Sequence, residues 1–199
     1  MTINIAFVGT CQAVSLCYFL QQCALNNPKY NISWVCYDKS FLQHLHRWSD
    51  KCQNKILDEE QGMAYIKSCN YILYHPIDES KSLYFNTNNL FRLKHPSCQM
   101  ISLQRVHINY FNDTNNYHLY LESIQETKRR EKLNKVDILV SPIFENNKHN
   151  IPLLITFNHP TTYVFLSMLV QICQMLRINY ITTDQYNYFT KNMNFMELP

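Results

Sequence analysis

Apolar residues fall along the chain in short continuous runs that alternate with stretches of helical spacing. Ile3 to Val8 is one such run, closed by Gly9, and reads as a buried strand. From Gln12 to Leu25 the apolar positions are Ala13, Val14, Leu16, Cys17, Leu20, Cys23 and Ala24. That spacing predicts a helix with Thr10 as N-cap, ended by Asn26, Asn27 and Pro28.

The pattern continues with a strand at Ile32 to Tyr37 and a helix at Phe41 to Trp48. A helix at Glu59 to Lys67 leads into a third strand, Tyr71 to Tyr74. Tyr84 to Pro96 reads as an asparagine-rich loop holding one helical turn, and Met100 to Leu103 as a fourth strand. Asn109 to Asn116 is turn-rich, and Leu119 to Leu133 helical. Val136 to Val140 and Pro142 follow, with a loop at Asn146 to Asn150. Leu153 to Phe157 reads as a last strand, and Tyr163 to Leu176 as a helix apolar almost all round and therefore buried. Strands alternating with helices predict an α/β fold, a mainly parallel sheet flanked by helices in one domain over residues 1–199.

Composition narrows the chemistry. At 199 residues and 46% hydrophobic, the chain can bury a sizeable core. A net charge of +3 neither demands nucleic acid nor forbids an anionic cofactor. Aromatic and basic residues do not interleave as a nucleic-acid stacking platform would, so no such partner is expected. With only 2 glycines, Gly9 and Gly62, no glycine-rich phosphate loop can be written. The 8 cysteines include no C-x-x-C pair, and most sit inside apolar runs as small hydrophobes. Asn4 interrupts the apolar start, which has no basic leader, and the longest apolar stretch is too short for a membrane span. Reduced thiols and a cytoplasmic location are the expectation.

Two segments carry chemistry. In Val8-Gly9-Thr10-Cys11-Gln12 a strand turns into a helix, at the edge where α/β sheets bind ligands. Free N–H groups and the positive dipole end at a helix start favour a thiolate, so Cys11 is the cysteine placed for reactivity. The same residues also suit an ordinary turn in which Cys11 only fills space. Thr156 to Thr161 forms a second strand-to-helix junction, with Pro160 at the first helical position. His159 there suits either a general base toward a thiol or hydroxyl, or a simple hydrogen bond to the helix end.

The first segment resembles the G-N-C-Q signature of the WcbI-type polysaccharide-biosynthesis acetyltransferases, and Asn158-His159-Pro160-Thr161 resembles their N-H-P-T signature. Cys69 to His75 looks like their middle strand, and Arg130-Glu131 with Val136 to Phe144 like a later segment. Thr10 stands where the family has Asn, keeping a capping side chain without an amide donor. The resemblance implies a fold loosely like the SGNH hydrolases and an acetyltransferase that uses coenzyme A or acetyl-CoA as donor and a sugar or glycan as acceptor. It makes Cys11 and His159 the catalytic pair. Gln12 and Asn158 become nearby donors, and Gly9, Thr10 and Thr161 join them as candidate substrate or oxyanion groups; His75, at the end of the third strand, suits either the same edge or a plain strand end.

Coenzyme A phosphates would then need cations, and Arg105, Lys128, Arg129 and Arg130 are the candidates. The last three also fit a solvated helix face. His44 and His46 lack partners at metal spacing, so no metal is expected. Rival readings are an SGNH-like esterase or deacetylase, a phosphoadenosine-donor sulfotransferase, and a glycan- or nucleotide-binding protein without catalysis.

Overall fold

The first apolar run forms β1 (Ile3–Gly9), in which Ile5, Ala6, Phe7 and Val8 are fully buried. A strand apolar on both faces must be covered on both, which is the condition of a parallel sheet. Four more strands join it in parallel: β2 (Tyr30–Cys36), β3 (Lys55–Ile56), β4 (Tyr71–Tyr74) and β5 (Gln99–Ser102). Their order across the sheet is β3-β2-β1-β4-β5. The computed structural model describes residues 2–24, 27–36, 52–108, 117–147, 153–156 and 159–178. The expected helix at Phe41 to Trp48, the loop at Asn109 to Asn116, and His44, His46 and Asn158 lie outside the described residues. The fold is α/β, with six helices among the described residues and two compact units, Met1–Leu103 and Gln104–Pro199.

In the first unit, α1 (Cys11–Cys23) packs on β1 and β2, with Gln21 Nε2 donating to Ile32 O at 2.8 Å. α2 (Glu59–Ser68) and α3 (Thr87–Leu93) bury Ile66 and Leu90 in one cluster with Ala6, Val8, Val35, Ile72, Tyr74 and Phe85. The alternate residues Ile5, Phe7, Trp34 and Leu73 belong to the opposite face. Burying each of these large side chains contributes roughly 1.5–3 kcal/mol. Tyr84 to Pro96, read as a loop holding one helical turn, contains the 7-residue helix α3: Asn86 caps it by accepting from Asn89 N at 2.9 Å.

The second unit holds α4 (Tyr117–Leu133), α5 (Ser141–Asn147), the hairpin of β6 (Leu154–Thr156) with β7 (His159–Pro160), and α6 (Thr162–Leu176). Buried Glu131 starts α5, accepting from Val140 N at 2.7 Å and Ser141 N at 3.0 Å. At the start of the loop expected from Asn146 to Asn150, α5 continues to Asn147, and residues 148–150 lie outside the described residues. Leu153 to Phe157 does yield a strand, but β6 pairs antiparallel with β7 in its own two-stranded sheet. Pro160 consequently sits in β7, not at a helix start, and Thr161 occupies the N-cap of α6.

Candidate functional site

β1 and β4 are the neighbours at which the strand order reverses, since β2 and β3 lie to one side and β4 and β5 to the other. The crevice beyond the carboxyl ends of two such strands is where open α/β sheets take their ligands. Gly9 and His75 stand at those two ends, and His75 N donates to Val8 O at 3.3 Å. His75 is only 4% exposed, and its ring covers the Gly9 backbone so closely that a Cβ there would meet Nδ1 at 2.6 Å. Trp34 Nε1 donates to Gly9 O at 3.1 Å and fixes the turn from the other side.

α1 starts at once from this turn, so Cys11 is its first residue and Gln12 its second. Thr10 sits at the N-cap in extended conformation, but its side chain makes no capping hydrogen bond. Its Oγ1 instead lies 4.0 Å from Cys11 Sγ. Ser15 Oγ donates to Cys11 O at 3.0 Å. Cys11 is half-buried, as is Cys23 at the far end of the same helix, and the other six cysteines are buried. Burial pushes the thiols of Cys17, Cys69 and Cys98 up, and that of Cys173 up to about 11. Cys11 therefore combines exposure with the end of the helix dipole that favours a thiolate.

His159 belongs to the other unit, half-buried in β7 opposite Thr156. Burial holds its imidazole below the ordinary histidine value, so the neutral ring that accepts a proton dominates at neutral pH. Thr161 is buried, and its N–H donates to Leu153 O at 3.0 Å.

Of the four cations expected to meet phosphates, the second unit brings two together. Arg105 and Arg130 line one groove of about 230 Å³, together with His107, Glu122, Glu126 and Thr127. The other two are engaged: Lys128 with Glu145, and Arg129 in a fork on Glu126 at 2.6 and 2.8 Å. Arg130 Nε also reaches Glu126, at 2.7 Å. Arg129 and then Arg130 hold the Glu126 carboxyl down at about 2. Among the described residues no group of three or more His, Cys, Asp and Glu is arranged to hold a metal. No helix there is long and apolar enough to cross a membrane.

The order of a five-stranded parallel sheet, with Cys11 at its reversal point, can be set beside solved structures. The fold is like that of WcbI. The matched structure is described as WcbI, a polysaccharide biosynthesis enzyme, in native form without a disulfide bond between coenzyme A and one of its cysteines. The likeness has a TM-score of 0.64 at 17% sequence identity, and covers 93% of this chain and 72% of that one. No protein-family model matches the chain, and no curated protein sequence does.

Sequence reasoning missed Trp34, whose indole holds the Gly9 carbonyl. Its local signal was only that of a large residue inside the run Ile32 to Tyr37, and its reach to Gly9 follows from the pairing of β1 with β2. Glu126 was missed as well, although it stands three and four residues before Arg129 and Arg130, the spacing of helix ion pairs.

Proposed function

We propose that this protein is a coenzyme A-dependent O-acetyltransferase acting on a sugar or polysaccharide hydroxyl, with Cys11 and His159 as its catalytic pair. The observation that carries the reading is the position of Cys11, the first residue of α1, at the reversal point of the parallel sheet. The WcbI-like fold supports it, since WcbI is a polysaccharide biosynthesis enzyme whose native form is distinguished by the lack of a disulfide between coenzyme A and one of its cysteines.

The residues fit such a donor. Coenzyme A brings a pyrophosphate and a 3′-phosphate, and this chain, with two glycines, has to meet them with charge. Arg105 makes no ion pair with a described carboxylate, and Arg130 keeps its terminal nitrogens beyond the Nε bond to Glu126. Arg129, whose fork is filled by Glu126, suits the role less.

In one form of the chemistry the Cys11 sulfur attacks the acyl carbonyl, the acetyl group moves to it as a thioester, and coenzyme A leaves as the thiol. The sugar hydroxyl then attacks that thioester while the imidazole takes its proton. In the other, the hydroxyl attacks acetyl-CoA directly, and Cys11 only orients it. Gly9, Thr10, Gln12, Asn158 and Thr161 are the proposed contacts for the acceptor and the developing oxyanion.

A second reading gives the base role to His75, which shares the carboxyl edge of the sheet with Cys11 and packs on Gly9. Thioester loss from acetyl-CoA, measured with a panel of sugar acceptors, tests both. Cys11→Ser and His159→Gln should each lower turnover by roughly 10²–10⁴, the scale of lost proton transfer. Because burial lowers the His159 value, activity should hold at neutral pH and fall only below about 6.5. If His75→Gln removes that acid limb and His159→Gln leaves it intact, the base is His75. Hydrolysis of simple esters with no thioester consumption would replace the transferase with the esterase.

A further inference from the structure

Cys17 lies on α1 six residues beyond Cys11, and its sulfur faces another sulfur. Cys17 Sγ and Cys52 Sγ are 3.5 Å apart, although 35 residues separate them in the chain. Both residues are buried, at 0% and 2% exposed. Cys52 Sγ also lies 3.4 Å from Gln21 Oε1 and 3.6 Å from Asn54 O. The Gln21 amide cannot turn freely: its Nε2 donates to Ile32 O, and its Oε1 accepts from Gln53 N at 3.0 Å. Residues 52 to 54 are thus fastened to α1 and β2 by bonds that do not involve the sulfurs, and those bonds keep the two thiols together. Nothing in the acyl-transfer chemistry uses this pair.

A disulfide needs its sulfurs about 2.05 Å apart, so an approach of only about 1.5 Å separates the thiol pair from a bridge. We propose that Cys17 and Cys52 form a redox-modification site, which a hydroperoxide converts to a disulfide that ties α1 to the segment before β3. Burial pushes the Cys17 thiol up and keeps its proton on, so the first step falls to Cys52. The Cys52 sulfur attacks the peroxide, the O–O bond breaks, and an alcohol leaves as Cys52 becomes the sulfenic acid. The Cys17 sulfur then attacks the Cys52 sulfur; the S–S bond forms, and the hydroxyl departs with the Cys17 proton as water. Two thiols lose two electrons and two protons, and the peroxide becomes alcohol and water. The bridge would sit on the helix whose first residue is Cys11, independently of whether that residue transfers acyl groups.

The test uses the reduced full chain, exposed to graded hydrogen peroxide and then alkylated under denaturing conditions. Chymotrypsin is used without reductant, because its sites at Leu16, Tyr18 and Phe19 separate Cys17 from Cys11 and Cys23. The expected product is the Cys17 peptide joined to the Cys52 peptide, lighter by two hydrogens than the free pair and released by a thiol reductant. The oxidised protein should also unfold at a higher temperature, because the bridge restricts the unfolded chain. In Cys52→Ser the joined peptide should vanish, with Cys17 recovered alkylated. Half-buried Cys11 serves as the exposure clock. If Cys11 is fully oxidised while Cys17 and Cys52 are both recovered as free thiols, the proposal is overturned. A bridge from either of them to Cys11 or Cys23 overturns it equally.

Discussion

A methyl group at position 9 would lie 2.6 Å from His75 Nδ1 and 2.8 Å from Ala13 Cβ, inside contact distance of both. Neither neighbour is a flexible chain end: Ala13 belongs to α1, and the His75 ring is 4% exposed. Gly9→Ala should therefore destabilise the protein by about 1–3 kcal/mol, the usual cost of overpacking. Denaturant titration measures it, and an unchanged midpoint would mean that the ring does not sit over Gly9. At this scale the sequence was legible where signals are local. The place of Cys11 at a strand-to-helix turn could be read from one strand, one glycine and one helix start, all within a few residues. His75 could be suspected only as a strand end, because its partner Gly9 is far away in the chain and meets it through the pairing of β1 with β4. Pro160 misled for the opposite reason: its preference for a first helical turn gave way to the hairpin with Leu154.

Helix starts make a second comparison, in which the same signal has two outcomes. Asp58 caps α2 by accepting from Gln61 N at 3.0 Å, whereas Thr10 holds the N-cap of α1 without a side-chain bond. Asp58→Ala should cost about 1 kcal/mol. Thr10→Val keeps the shape, removes only the hydroxyl, and should change stability by less than about 0.5 kcal/mol. A Thr10→Val loss as large as that of Asp58→Ala would show that the hydroxyl caps after all. The long periodic elements, α1, α2, α4 and α6, could be read from spacing because each carries several turns of pattern. α3 and α5, at 7 residues each, are too short to repeat it. Their starts were hidden in residues that otherwise mark loops: Asn86 caps α3, while α5 takes its cap from Glu131, on another helix. β3 has 2 residues and pairs only at Trp34 and Val35, leaving no alternation to detect.

For the molecule as a whole, the α/β class followed from the alternation of elements, but the strand order did not. Which side of β1 each strand joins depends on long-range pairing, and that choice puts the reversal point beside Cys11 rather than elsewhere. The groove shared by Arg105 and Arg130 was likewise out of reach, since a loop residue and a helix residue meet there only after folding. The proposed function requires coenzyme A to bind this chain with its thiol end at Cys11. Cys11 and Cys23 are the two half-buried cysteines and stand at opposite ends of α1, so Cys23 is a built-in reference. Alkylation of the reduced, folded chain at neutral pH, read by mass spectrometry with and without millimolar coenzyme A, is the most direct measurement. Without coenzyme A, Cys11 should label faster than Cys23, because only Cys11 lies at the positive end of the helix. With it, Cys11 labelling should slow many-fold while Cys23 labelling stays as it was. Equal labelling of Cys11 in both samples, from protein confirmed to be folded, would contradict the account.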